Sequence, residues 1–414
     1  MNVYLFATLD TKGPEAAFVR DKLQSARTGV IMVDTGAIGQ PSVKADISRE
    51  QIFQAAGTSL SSIVTKNDRG EAVKQAALGA AVIAKQAFAA GELAGIISIG
   101  GSAGTTIGTT AMRELPLGVP KLMVSTLASG QVRPYVGDKD ILMMNSVVDI
   151  LGINRISRRV LSLAAAAMAG MVREYRQSLE TTDSAEDRPL VAATMFGVTT
   201  PCVEQARIIL ENAGYEVLTF HATGNGGQAM ESLIREGLIA GVLDITTTEL
   251  ADELVGGILS AGPDRLTAAG QCGIPQVISV GATDMVNFGP PETVPLTFKS
   301  RLFYLHNPTV TLMRTTVEEN ARLGEQIAAK ANSATGPTKI LLPLRGVSAL
   351  DAAGREFFDD QARAALFQSI RTHAKCEVIE FDLHINDPLF AEAAANKLIE
   401  LLHRSRISFD SRNK

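Results

Sequence analysis

Tryptophan is absent from this chain of 414 residues, and aromatic residues make up only 5% of it. Cysteine is also scarce. Cys202, Cys272 and Cys376 lie far apart and show neither CxxC spacing nor the pattern of a disulfide framework. Disulfide scaffolds and zinc modules need clustered cysteines, so the scarcity excludes both classes and favours a reducing, cytoplasmic setting.

Long hydrophobic runs and an excess of positive charge are missing too. The longest apolar run, residues 160–172, is bracketed by arginines and is too short to span a bilayer, so it predicts a buried helix. The N-terminus has no basic segment and reads as a first strand rather than a signal peptide. The net charge of −5 gives no electrostatic footprint for nucleic acid. We expect neither a membrane nor a nucleic acid as a partner.

Strand-like and helical segments alternate along most of the chain, with 36 glycines marking many short turns. Such alternation predicts parallel sheets, because parallel strands need a crossover helix between them. A small, polar and charged segment at 181–189 predicts a linker. We therefore place an N-terminal domain at residues 1–182 and a C-terminal domain at residues 189–414.

The two halves repeat one layout, which suggests a duplication. Residues 240–245 (AGVLDI) parallel residues 94–99 (AGIISI), and 272–280 parallel 117–125, with a Gly-(Val/Ile)-Pro entry to a strand in both. Coincidence is the alternative. The fold class predicted is α/β, with two Rossmann-like three-layer domains and mainly parallel sheets. In such sheets ligands bind beyond the carboxyl ends of the strands, so we expect the active site in the cleft between the domains.

A glycine-rich loop follows the buried strand predicted at 95–99. Backbone N–H groups of the loop and the positive end of the next helix would meet at one point, which suits a phosphate or carboxylate. The loop is neither a Walker A loop nor GxGxxG, and a tight turn without any ligand is the alternative. The candidate ligand-binding residues of this loop are Gly100, Gly101, Ser102, Gly104, Thr105 and Thr106.

Asp10, Thr11 and Lys12 follow the first predicted strand, and Pro14 predicts the first turn of the next helix. Lys12 can meet a phosphate as a point charge. Asp10 can hold Mg²⁺ through water, because Mg²⁺ favours carboxylate and phosphate oxygens. The alternative is an ordinary strand end with a capping aspartate and a solvated lysine.

A further polar turn in the first half offers Ser125, Thr126 and Gly130. It would face the glycine-rich loop if the two preceding strands are neighbours, so these residues are also candidates for cofactor binding. Asp149 follows an apolar pair and can either bind a ribose hydroxyl or cap a helix.

The second half carries a similar glycine-rich turn directly after His221. A histidine at the edge of a core is the alternative interpretation of His221. The turn predicts a second anion site, whose candidate substrate-binding residues are Gly224, Asn225, Gly226 and Gly227.

Three residues near the end of the chain complete a candidate catalytic set with His221. Arg345 follows a predicted strand and can clamp a carboxylate or phosphate. Asp382 and His384 alternate on one face of a strand, where a carboxylate can orient an imidazole that acts as a general base.

Several of these segments together resemble the ATP-binding domain family of the plant tobamovirus-resistance protein. They are ATLDTK at 7–12, IGGSAGT at 99–105, FHATGNGGQAME at 220–231, PLRGVS at 343–348 and the stretch at 384–388. The resemblance covers essentially the whole chain. It implies two α/β subdomains, ATP bound by the N-terminal half, and a homodimer. Residues 10–12 and the glycine-rich loop then become the nucleotide-phosphate residues, with ATP and Mg²⁺ as cofactors.

Two functions of different classes follow from the sequence. The first is an ATP-dependent enzyme that acts on a small anionic metabolite, a hydroxy- or keto-acid, held by the second domain. The second is a nucleotide-binding regulator or interaction module that does not turn ATP over. The polar residues of the second half favour the enzyme, whereas the lack of a recognisable catalytic motif favours the regulator.

Overall fold

The computed structural model describes residues 1–180 and 188–410. The chain divides into two compact units, Met1–Ala185 and Glu186–Lys414. This division falls inside the predicted linker, most of which lies outside the described residues. In the described part of the chain, no helix is long and apolar enough to cross a membrane.

The N-terminal unit is built around a five-stranded parallel sheet in the order β2-β1-β3-β4-β5. The strands are β1 (Asn2–Ala7), β2 (Val30–Asp34), β3 (Leu93–Gly100), β4 (Lys121–Ser125) and β5 (Leu142–Asn145). The helices are α1 (Leu9–Ser25), α2 (Arg49–Ala55), α3 (Leu60–Lys66), α4 (Arg69–Ala89), α5 (Ser102–Arg113), α6 (Arg133–Val136) and α7 (Arg155–Glu180).

Alternate side chains of these strands enter two separate cores, one on each face of the sheet. Phe6 and Ile96 pack with α2, α4 and α5, whereas Leu5 and Ile97 pack with α1 and α7. The period of two that directs neighbouring residues to opposite faces thus produces the predicted three layers. The apolar run at 160–172 lies in α7 and buries one face of that helix, as predicted.

The C-terminal unit has a six-stranded parallel sheet in the order β14-β13-β9-β8-β6-β7. Its strands are β6 (Leu190–Met195), β7 (Glu216–His221), β8 (Gly241–Thr246), β9 (Gln276–Gly281), β13 (Thr338–Pro343) and β14 (Glu377–Phe381). Its helices are α8 (Thr200–Asn212), α9 (Asn225–Arg235), α10 (Thr248–Val255), α11 (Ala268–Cys272), α12 (Val317–Asn332), α13 (Asp360–His373) and α14 (Pro388–Asp410). Helices α8 and α14 cover one face, and α9, α11, α12 and α13 cover the other.

The two units share the order of their first four strands, β2-β1-β3-β4 and β7-β6-β8-β9. The similar sequence segments of the two halves form corresponding strands in the two sheets. Strand β3 corresponds to β8, and β4 corresponds to β9. The predicted fold class is therefore confirmed. An additional antiparallel sheet, which the sequence did not predict, lies between β9 and β13 in the chain. It consists of β10 (Met285–Phe288), β11 (Phe303–Asn307) and β12 (Val310–Arg314), in the order β10-β12-β11.

The order β2-β1-β3 contains a reversal of the strand order in the N-terminal sheet. The chain leaves β1 toward one edge of the sheet and reaches β3 on the other side of β1. Crevices form at such reversals, outside the carboxyl ends of the strands. Residues 10–12 follow β1 and the glycine-rich loop follows β3, so the two predicted phosphate segments meet at this point.

Candidate functional site

A cavity of about 490 Å³ opens at the carboxyl ends of β1, β2 and β3. It brings together the two segments that the sequence singled out, and its volume is within the range of small-molecule sites. Of the predicted residues, Asp10, Thr11, Lys12, Gly100, Gly101, Ser102, Gly104 and Asp149 line it. The remaining lining residues are Thr8, Thr35, Ala37, Ile38, Gly39, Arg69, Ala72, Val73, Ala76, Ala103 and Ile107.

The glycine-rich loop delivers an uncapped helix N-terminus to this cavity. Strand β3 ends at Gly100 and α5 begins only two residues later, and no side chain caps the helix at Gly101. The first N–H groups of a helix have no intrahelical acceptor, and the helix dipole makes this end positive. A Cβ at Gly100 would lie 2.8 Å from the Cα of Gly104, so glycine at 100 lets the helix start directly against the strand.

Asp10 holds the loop that forms the opposite wall. Its Oδ2 accepts hydrogen bonds from the backbone N–H groups of Ile38 (3.2 Å) and Gly39 (3.1 Å). Its Oδ1 is buried and has no hydrogen-bond partner among the described residues. A Cβ at Gly36 would lie 2.9 Å from the Asp10 carboxyl group, so this contact requires glycine. Asp10 thus positions this part of the cavity lining with one oxygen, while its other oxygen has no hydrogen bond in the described part of the chain.

Lys12 lies at a kink in α1, where its backbone departs from helical values. Its Nζ donates a hydrogen bond to the carbonyl of Ile150, which leaves further ammonium donors for an anion. The kink divides α1 into a short turn that begins at Leu9 and a longer part with Pro14 in its first turn, as predicted. The buried Asp34 accepts a hydrogen bond from the N–H of Leu9 (3.0 Å) and so holds the short turn. Burial raises the pKa of Asp34, against the lowering effect of its hydrogen bonds from the N–H groups of Gly36 and Leu9.

Arg69 is the cation that sequence reasoning missed. It starts α4 and lines the cavity with an exposed side chain. Nothing in the local sequence marks it as a ligand. The topology indicates that Arg69 lies near the site, because a helix that connects two parallel strands begins at the carboxyl edge of the sheet. Ala72, Val73 and Ala76 of α4 and Ile107 of α5 give the same cavity an apolar side.

Five of the predicted cofactor-binding residues do not line the cavity. The hydroxyl groups of Thr105 and Ser125 lie 2.6 Å apart, and both side chains are buried beneath the loop. These hydroxyl groups support the loop from below. The others lie beside the loop or in the exposed turn after β4. The five residues outside the lining are Thr105, Thr106, Ser125, Thr126 and Gly130.

The second glycine-rich turn holds a carboxylate from its own unit. The N–H groups of Gly224 and Gly227 donate to Oε1 of Glu249, at 2.7 and 3.1 Å. A Cβ at Gly227 would lie 2.3 Å from the Oε2 atom of Glu249, and a Cβ at Gly226 would lie 2.0 Å from the carbonyl oxygen of His221. Glycine is needed here for internal packing. The substrate-binding interpretation of Gly224, Asn225, Gly226 and Gly227 stays a prediction that these internal contacts do not support. Asn225 is the exposed first residue of α9.

Glu249 belongs to a buried ionic network centred on Arg265, whose side chain is fully buried. The guanidinium group donates to both carboxylate oxygens of Asp244, at 2.5 and 2.7 Å, and to Oε2 of Glu249 at 2.6 Å. Glu231 lies 3.5 Å away and accepts from the N–H groups that start α11. Burial raises the pKa of Glu249, and Arg265 opposes this rise. The network ties α9, β8, α10 and α11 together.

The four predicted catalytic residues do not form one site. His221 ends β7 at one edge of the sheet, whereas Arg345 follows β13 and Asp382 follows β14 at the other edge. Four strand spacings separate β7 from β13, or roughly 19 Å.

The expected pair of Asp382 and His384 is not formed either. Both oxygens of Asp382 bind the exposed Arg345, at 2.8 and 2.7 Å. The Nε2 atom of His384 lies 2.9 Å from the carbonyl oxygen of Ser348, and its Nδ1 accepts from the N–H of Asn386. Both ring nitrogens are therefore engaged with the backbone, which suits a structural histidine rather than a general base.

Models of one protein family match both units. The model described as the N-terminal domain of "Uncharacterised protein family (UPF0261)" matches residues 1–177, and the model of its C-terminal domain matches residues 188–402. A UPF0261 protein of Clostridium tetani (strain Massachusetts / E88) is 49% identical over 405 residues, which cover 97% of this chain and 99% of that protein.

Two tomato (Solanum lycopersicum) proteins are similar as well. The ToMV resistance protein Tm-1(GCR237) is 47% identical over 319 residues, covering 76% of this chain and 42% of that protein. The ToMV susceptible protein tm-1(GCR26) is 40% identical over 422 residues, covering 97% of this chain and 56% of that protein. The chain thus corresponds to about half of each tomato protein, and the resemblance to the family of the plant proteins is confirmed.

Among solved structures, a UDP-N-acetylglucosamine 2-epimerase from Rickettsia bellii aligns over 100% of this chain and 98% of its own. The sequence identity is 8% and the TM-score is 0.23. A similarity of that size supports no functional assignment.

Proposed function

The chain belongs to the Uncharacterised protein family (UPF0261), and we propose that its N-terminal unit binds ATP in the cavity at the carboxyl ends of β1, β2 and β3. The observation that supports the proposal is that a polar side and an apolar side line the same cavity. The polar side is the uncapped N-terminus of α5 with its glycine-rich loop, and the apolar side is formed by α4 and Ile107.

The phosphates of the nucleotide bind at the start of α5. The N–H groups of Ser102, Ala103 and Gly104 supply donors, and the helix dipole supplies positive potential. Lys12 and Arg69 line the same cavity and offset the negative charge of the phosphates. The base packs against Ala72, Val73 and Ala76. Asp149 lines the same cavity, and its carboxylate accepts a hydrogen bond from a ribose hydroxyl group.

The cavity also fits Mg²⁺. The unpartnered Oδ1 of Asp10 is a hard oxygen donor, the type that this ion prefers. No cluster of three or more histidine, cysteine, aspartate or glutamate side chains that could hold a metal is found among the described residues. Mg²⁺ sites need only one or two carboxylates, because phosphate oxygens and water complete the coordination. When bound, the ion would neutralise part of the phosphate charge.

Of the two functions that the sequence left open, the geometry favours a nucleotide-binding regulator or interaction module. The enzyme hypothesis rested on His221, Arg345, Asp382 and His384, which occupy opposite edges of a sheet or bind within the protein. ATP consumption across a panel of hydroxy- and keto-acids tests the enzyme hypothesis. The free state of all three cysteines supports the proposed cytoplasmic setting.

Thermal unfolding with and without Mg-ATP tests the proposal. A ligand at about 100 times its Kd stabilises the native state by roughly 2.7 kcal/mol. For a unit of this size the melting temperature then rises by roughly 5 to 11 °C. Lys12→Ala should reduce the rise. A melting curve that millimolar Mg-ATP leaves unchanged would contradict the proposed function.

A further inference from the structure

A second cavity, in the C-terminal unit, lies beside the antiparallel sheet. It has a volume of about 350 Å³ and is formed by β11, β12 and the segment that connects β10 to β11. Most of its lining is apolar, including Val294, Leu296, Phe303 and Leu305. Leu296 is 85% exposed and Leu305 is 57% exposed. Exposed leucines that surround a concave surface are typical of a site that binds an apolar group.

Two polar side chains that line this cavity have no partner in the described part of the chain. Thr311 of β12 is only 4% exposed, and its hydroxyl group is buried without a hydrogen bond to any described residue. Buried hydroxyl groups are nearly always paired in native proteins, so each exception calls for an explanation. Lys299 also lines the cavity, is exposed, and forms no ion pair with any residue that the structure describes.

We propose that this cavity binds a carboxylic acid with an apolar chain that carries an oxygen atom, such as an ω-hydroxy acid. The chain packs against Val294, Phe303 and Leu305, and the carboxylate pairs with Lys299 at the exposed rim. The hydroxyl group of Thr311 bonds to the oxygen on the chain. The apolar lining, the exposed ammonium group and the buried hydroxyl group are then each matched by one part of the ligand. This site is independent of the nucleotide cavity, because all of its lining residues belong to the C-terminal unit.

Calorimetric titration of the full chain with butanoate, hexanoate and octanoate tests the apolar part of the site. We expect saturable binding that tightens by about fourfold for each added methylene group. Octylamine, which has the same chain and the opposite charge, should bind at least about fivefold more weakly. Lys299→Gln should weaken octanoate binding by about two- to fivefold, as expected for an exposed ion pair.

Two leucine variants provide a matched comparison. Leu305→Glu places a carboxylate in the apolar lining and should weaken octanoate binding by more than about tenfold. Leu302→Glu is the control, because Leu302 is 54% exposed but does not line the cavity. Circular dichroism verifies that both variants fold. Unsaturable binding, equal binding of octylamine, or equal effects of the two leucine variants would overturn the proposal.

Thr311→Val tests the polar part of the site, since valine keeps the shape and removes only the hydroxyl group. It should weaken binding of 8-hydroxyoctanoate by about two- to tenfold, the net contribution of one hydrogen bond, and leave octanoate binding unchanged. If the variant affects both acids equally or neither of them, Thr311 does not recognise the ligand and this part of the proposal is wrong.

Discussion

Replacing Gly101 with valine should separate nucleotide binding from folding. The backbone of Gly101 is extended, with φ −82° and ψ −152°, so it is not in the left-handed region that favours glycine. A Cβ at this position would lie 3.6 Å from the Oγ1 atom of Thr126, an ordinary van der Waals contact. The unliganded variant should therefore keep its stability within about 0.5 kcal/mol of the wild type.

The same side chain would enter the space that we assign to the phosphates. Gly101 lines the cavity at the N-terminus of α5, so a valine there keeps the phosphates away from the helix N–H groups. The roughly 2.7 kcal/mol of stabilisation expected at a ligand concentration of about 100 times Kd should disappear. The assay is thermal or urea unfolding of the variant with and without Mg-ATP.

Gly130→Val is the matched control. A Cβ at Gly130 would lie 3.6 Å from the carbonyl oxygen of Leu127, and Gly130 does not line the cavity. This variant should respond to Mg-ATP as the wild type does. Gly104→Val is a poorer probe, because a Cβ at Gly104 already lies 3.2 Å from the carbonyl oxygen of Ile99. Equal Mg-ATP responses of Gly101→Val and Gly130→Val would refute the reasoning.

Two more predictions concern the ionic network and the oligomeric state. Arg265→Met should cost about 3 to 5 kcal/mol at neutral pH, because it leaves the buried Asp244 and Glu249 unpaired. Burial raises the pKa of Glu249, so without the arginine this carboxyl group protonates as the pH falls, and the loss measured by urea unfolding should shrink toward acid pH. Arg235→Met, which removes a half-exposed partner of Glu231, should cost no more than about 1 kcal/mol. Equal losses for the two variants would contradict the role of the network. The homodimer stays a prediction from family resemblance and from the apolar stretch at residues 160–172 of α7, in which Leu163 is exposed. Sedimentation should give a species of twice the 43.8 kDa of one chain, and a purely monomeric species at micromolar concentration would refute it.

The layered fold could be predicted because buried parallel strands leave a direct sequence signal. The β-branched run of β3 and the matching run of β8 mark the two sheet centres without any tertiary information. The antiparallel sheet leaves a weaker signal. Its strands are only four or five residues long. The buried runs of β10 and β12 are therefore short, and β11 at the sheet edge is largely exposed.

The start of α1 shows what local signals predict and what they miss. Pro14 favours a helix that begins nearby, and the part of α1 after the kink at Lys12 does begin there. The additional turn that begins at Leu9 depends on a hydrogen bond to Asp34, a residue 25 positions away. Such a contact cannot be predicted from the residues around the helix end.

The two glycine-rich turns show how much of the candidate site could be predicted from the sequence. Each lies between a strand and a helix, and the sequence alone assigns both to anions. In the second turn the anion is Glu249, which lies more than 20 residues away and closes the turn from within the protein. In the first turn no side chain caps the helix, and the cavity lies in front of it. Glycines in such a turn indicate that an oxygen atom approaches the backbone closely. Only the tertiary structure shows whether that oxygen belongs to the protein or to a ligand.

A crystal structure of the full chain grown with Mg²⁺ and a non-hydrolysable ATP analogue tests the central claim most directly. We expect the phosphates within hydrogen-bonding distance of the N–H groups of Ser102 and Ala103, and the base against Ala72, Val73 and Ala76. A nucleotide bound elsewhere on the chain, or crystals whose cavity stays free of nucleotide at saturating concentration, would contradict the assignment.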